Sequence, residues 1–183
     1  MARDETGTIR HCLRVATRDL HDRLDHSVAA HGIGEPIGYG RFLAFQYAAR
    51  LPVEAWFDAR EGIGAPPRQT GMIAADLAEL GQSVPTPHSG DLDPAADALA
   101  VAWVVAGSSL GNRAMLAQQR RAGVTLPTRF LADESMTEYW HSLRPRLQTS
   151  ATTVDIDHMI ASARAVFALF ASRVDGAKEA LAA

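Results

Sequence analysis

Apolar positions along the first third of the chain repeat every three or four residues. Ile9, Leu13, Ala16, Leu20, Leu24 and Val28 make one stripe on a helix and fit no strand. His31-Gly32-Ile33-Gly34-Glu35-Pro36 closes that helix with glycines and a proline. A second helix is predicted over residues 39–59, carrying Phe42, Leu43, Phe45, Tyr47, Leu51, Val53 and Trp56, with Pro52 placed to kink it. A shorter one covers 72–80, with Gly81 as its C-terminal cap. The Pro, Ser and Gly content of 82–92 reads as a loop.

Asp93-Pro94 then reads as an N-cap followed by proline at the first helical position. The long helical pattern that follows runs to about residue 122, with Gly123 just beyond. Further helices are predicted over 134–147 and 154–174. Strand signals are nearly absent, and the pattern shows no internal repeat and no interdomain linker. These features predict an all-α, compact multi-helix bundle of about six helices, formed by a single domain over residues 1–183.

Composition narrows the function classes. A formal charge of −3 argues against a general nucleic-acid binder, because neutralising phosphates needs a basic face. The single cysteine, Cys12, excludes an internal disulfide and a site built from several thiolates, and fits a reducing compartment. The first residues contain no apolar signal region, and the apolar run at 98–106 is short of the ~20 residues a membrane span needs. The expectation is a cytoplasmic protein with no membrane and no nucleic-acid partner.

Two local patterns carry chemistry. His21 borders the stripe of the first helix near Thr17, Leu24 and Val28, and Asp25 stands one turn further on the same face. A haem-ligating imidazole needs one nitrogen for iron and an acceptor for the proton on the other, which a carboxylate one turn away supplies. Such a pair is common, and by itself it more often marks a partly buried histidine beside a surface acid. Gly107 and Gly111 share one face of the long helix, each costing about 1 kcal/mol relative to alanine. Either they allow close helix packing, or they open a cleft in which a flat ligand and a diatomic gas approach the backbone, with Ser108 and Ser109 holding water. His31 and His88 belong to loops, and His11 and His26 to the polar face of the first helix.

At this point the chain resembles a known family. The segment Leu13-Arg14-Val15-Ala16-Thr17-Arg18-Asp19-Leu20-His21-Asp22-Arg23-Leu24-Asp25 resembles the proximal helix of haem oxygenases. Gly107-Ser108-Ser109-Leu110-Gly111 is similar to their distal helix, in the form found in bacterial, phytochrome-associated members. Tyr39-x-x-Phe42-Leu43 and Leu51-Pro52-Val53-Glu54 resemble their second helix. The resemblance implies cleavage of haem, with O2 and reducing electrons, to biliverdin, carbon monoxide and ferrous iron. It implies a ferredoxin or a reductase as electron donor and a bacteriophytochrome as acceptor of biliverdin. By the same resemblance His21 is the proximal iron ligand and Asp25 its partner, while Gly107, Ser108 and Gly111 line the oxygen side. Arg14 and Arg144 face the haem propionates, where a cation suits a carboxylate, and Thr17 and Phe167 pack near the haem.

The chain departs from the family pattern at three points. Mammalian-type members carry an aspartate where Ser108 stands, Asn112 replaces a frequent small residue, and the chain is short for the family. Two alternatives therefore stay open. One is a haem carrier or sensor on the same fold. The other is a non-haem di-metal oxidase using Glu138-x-x-His141 and Asp155-x-x-His158, with Glu54 or Glu79 adding carboxylates.

Overall fold

The computed structural model describes residues 7–29, 32, 34–60, 64–87 and 92–179, from 175 onward for the backbone alone. It contains six α-helices: α1 (Ile9–Ala29), α2 (Pro36–Asp58), α3 (Thr70–Glu79), α4 (Ala98–Arg121), α5 (Ser135–Leu147) and α6 (Ile156–Glu179). One short 3₁₀ turn, Ala151–Thr153, precedes α6. Among the described residues there is no strand, only an isolated bridge between Thr8 and Ser150 that ties the start of α1 to the loop before α6. The all-helical expectation holds. His31, Ile33 and His88 lie outside the described residues.

Most helix ends follow the local chemistry of the sequence. Pro36 occupies the first turn of α2, where its missing N–H costs nothing. Gly81 and Gly123 adopt φ of +71° and +67°, conformations that strongly favour glycine. Each lets the following residue donate back into its helix, Gln82 to the Leu77 carbonyl and Val124 to the Gln119 carbonyl, at 2.9 and 3.1 Å.

The start of α4 differs from expectation. Asp97, not Asp93, is the N-cap, accepting from the Ala100 amide at 2.8 Å. Asp93 instead closes a separate turn through the Ala95 amide, also at 2.8 Å. The tertiary reason is on α6, where the Ser162 hydroxyl takes the Asp97 amide and holds the chain outside the helix at that point. The last helix likewise begins at Ile156 rather than 154, because Val154 is extended after the 3₁₀ turn.

Helix α6 is the spine: α1, α2 and α4 all pack on it, α3 packs on α2, and α5 on α4. The core between them is aromatic. Phe42, Phe45 and Phe170 form a chain of contacts with centroids 6.4 and 6.0 Å apart, and Phe130 joins Phe42 at 6.2 Å. Such geometries are worth about 0.5–1.5 kcal/mol per pair beyond the area they bury. Read over its whole length, α4 is apolar and long enough to cross a bilayer, more than its 98–106 run suggested. Here half of that stretch is buried in the bundle, and Ser109, Asn112 and Gln119 are buried along the helix.

Candidate functional site

No strong direct contact joins α1 to α4, and between them opens a cavity of about 530 Å³. That size lies inside the range of about 300–1,000 Å³ typical of small-molecule sites. Helices α2, α5 and α6 complete its walls with Phe45, Trp140 and Phe170. Of the residues singled out in the sequence, His21, Asp25, Arg14, Thr17, Phe167, Gly107, Ser108 and Gly111 all line this one space. Arg144 does not. It is exposed on α5, outside the buried stripe of Met136, Trp140, Leu143 and Leu147, and the side chain α5 presents to the cavity is that of Trp140.

On the α1 wall, His21 Nδ1 lies 3.2 Å from Asp25 Oδ2, the i,i+4 contact that the spacing allowed. The Phe167 ring meets the imidazole edge-on at 6.2 Å. With Nδ1 engaged, Nε2 is the remaining nitrogen, and it has no hydrogen bond among the described residues. The pair stands open to solvent, His21 being 60% and Asp25 67% exposed, so a ligand can reach it. Thr17 is buried and satisfies its hydroxyl on the Leu13 carbonyl at 2.8 Å, which leaves it as smooth wall. Arg10, Arg14 and Arg18 recur every fourth residue along α1 at the cavity, a basic row beside an apolar space.

The α4 wall carries the two glycines. A β-carbon on Gly111 would meet nothing within 4 Å, and one on Gly107 would meet only the Trp140 ring, at an ordinary 3.7 Å. No helix presses on either position. Both glycines line the cavity. Asn112 also reaches the cavity and is otherwise buried.

The residue that sequence reasoning missed is Arg50. It is 2% exposed in the middle of α2. Its Nε donates to Gln46 Oε1 at 3.0 Å and its Nη2 to Ser108 Oγ at 2.6 Å, while its guanidinium lies 5.1 Å from the centre of the Phe130 ring. Burial pushes its pKa down to about 10, against the opposing pull of Glu54 and Asp133, so it remains a cation at neutral pH. A signal was present: Arg50 shares helical spacing with Phe42, Gln46, Ala49 and Val53, all buried on α2, and an arginine there demands a reason.

Of the side chains considered for a di-metal centre, Glu138 and His141 are exposed on α5, and the other four are otherwise engaged. Glu54 accepts from the Gln69 and Thr70 amides and the Thr70 hydroxyl, at 2.7, 3.0 and 2.5 Å, and so anchors the N-terminus of α3. Glu79 pairs with Arg129 at 2.6 Å. Asp155 caps the His158 amide, and the His158 ring meets the Ala95 carbonyl. Among the described residues no three His, Cys, Asp or Glu side chains converge on a metal position.

No family model matches the chain, and no curated protein matches it by sequence. A solved structure does match. The haem oxygenase of Neisseria meningitidis, in crystal structures with NO and CO bound, superposes with a TM-score of 0.72 at 19% identity, covering 93% of this chain and 92% of that one. The bundle described here is the haem oxygenase fold.

Proposed function

We propose that the chain is a haem oxygenase, cleaving haem to biliverdin, carbon monoxide and ferrous iron with O2 and external electrons. The observation that carries this reading is one cavity bounded by a carboxylate-held histidine on α1 and by two uncrowded glycines on α4. The space fits a flat, mostly apolar tetrapyrrole, and the arginine row at its edge fits that molecule's two carboxylates. Haem supplies the iron at which oxygen is activated and is itself the molecule cleaved.

The chain's own residues then have separable tasks. Asp25 takes the Nδ1 proton of His21, fixing the tautomer so that Nε2 offers its lone pair. Arg14, with Arg10 and Arg18, holds the propionates and sets the in-plane orientation. Phe167, Phe45 and Phe170 exclude water from the macrocycle, and Gly107 and Gly111 leave room beside it for a diatomic ligand. Resemblance to the phytochrome-associated branch supports a ferredoxin or reductase as donor and a bacteriophytochrome as acceptor of the product.

Haem titration tests the reading. One equivalent should give a Soret band of histidine-ligated ferric haem, and a ferredoxin reducing system in air should bleach it with formation of biliverdin. His21→Ala should lose the axial nitrogen, weaken haem binding roughly tenfold or more, and keep its helical circular dichroism. An unchanged haem spectrum in that variant removes His21 as ligand. Stable haem without bilin formation favours the carrier or sensor, and iron bound without a Soret band favours the di-metal oxidase.

A further inference from the structure

We propose that Arg50 is a positioning residue that sets the hydrogen-bond polarity of the α2–α4 wall, making Gln46 a donor and Ser108 an acceptor toward the cavity. The inference rests on the haem reading and adds to it the residue that decides what a small oxygen ligand meets there. A guanidinium carries only N–H donors. The Gln46 amide atom facing Arg50 Nε is therefore its oxygen, and the Nε2 amino group is left with no partner among the described residues. Ser108 Oγ accepts from Arg50 Nη2 at 2.6 Å and gives its only proton to the Val105 carbonyl at 2.7 Å. It keeps one lone pair and no proton for the cavity.

Alone, a glutamine amide can flip and a serine hydroxyl can rotate, so each could offer either polarity. One buried guanidinium removes both freedoms. Its planar fork reaches two side chains that line the cavity from different helices, 58 residues apart for the Ser108 bond. Arg50 does not itself line the cavity, so it acts through Gln46 and Ser108. The charged groups that act on it are Glu54 and Asp133, both of opposite sign, and the Phe130 ring lies against it. Water, with protons and lone pairs, can use both wall groups. A diatomic ligand that gathers negative charge uses the Gln46 donor.

The test follows the acid–alkaline transition of the ferric haem complex by absorption in the full chain. Gln46→Leu removes a donor to the deprotonated form and should raise the midpoint by about one pH unit. Ser108→Ala removes an acceptor for the protonated form and should lower it. Arg50→Lys keeps a cation but not the fork, so Gln46→Leu made on that background should shift the midpoint less than half as far as in wild type. In the ligand-free protein, Gln46→Leu should move the Arg50 Nε–H resonance in ¹H–¹⁵N spectra. Shifts of the same sign in Gln46→Leu and Ser108→Ala, or full additivity with Arg50→Lys, overturn the proposal while a normal Soret band keeps the haem reading. If wild type takes up no haem, the haem reading falls and takes this one with it. The ¹H–¹⁵N result would then bear only on the Arg50–Gln46 geometry.

Discussion

The two walls of the cavity are built on opposite principles. On α1 the chemistry is exposed and local: His21 and Asp25 are both more than half accessible and meet one helical turn apart. On α2 and α4 it is buried and long-range: Arg50 and Gln46 are almost sealed, and the bond to Ser108 joins distant parts of the chain. The α1 wall can afford exposure because a large flat ligand would cover it. On the proposed haem reading the opposite wall would meet only small ligands, which cannot organise it, so the protein must organise it beforehand. A buried cation does that at the cost of anions placed near it, the buried Glu54 and the half-buried Asp133, and Glu54 anchors α3 in the process.

The comparison predicts that stability and haem chemistry respond differently on the two sides. The largest stability effect should come from Glu54→Ala, which strips α3 of its carboxylate and leaves Arg50 short of an opposing charge. A loss of about 3–5 kcal/mol is expected, read from the denaturant midpoint. A change below ~1 kcal/mol would mean that this wall is not held by its buried charges.

The glycines come next. Gly111→Ala and Gly107→Ala should gain up to ~1 kcal/mol of stability, since neither new methyl group is crowded. Bilin yield should nevertheless fall, or the biliverdin isomer ratio shift, most of all in Gly111→Leu. Unchanged yield and isomers in all three would detach the glycines from oxygen chemistry and return them to a purely structural role. The smallest stability effect should be that of Asp25→Asn, within about 0.5 kcal/mol because the site is exposed. Its signature is spectroscopic: the ferrous iron–histidine stretching frequency should drop as the imidazole loses its anionic partner. Equal frequencies in variant and wild type would leave Asp25 without that task.

The same contrast explains what could be read in advance. The α1 stripe, the His21–Asp25 pair and the glycines that close α3 and α4 were all visible, whereas Pro36, read as closing the first helix, in fact opens α2. Each visible feature depends on neighbours within one helical turn, and such contacts follow from 3.6-residue geometry before any tertiary structure exists. The choice between Asp93 and Asp97 as N-cap was not visible, because both residues are competent and a serine on α6 decides between them. Nor was the rotation of α5, which turns Trp140 to the cavity and Arg144 away from it. By itself the sequence determined most of the helices and the His21–Asp25 pair. The register of α2 could have flagged Arg50 as core-facing, but only the tertiary structure decided that it joins α2 to α4 through Ser108, because a hydrogen bond across 58 residues leaves no periodic trace in the chain.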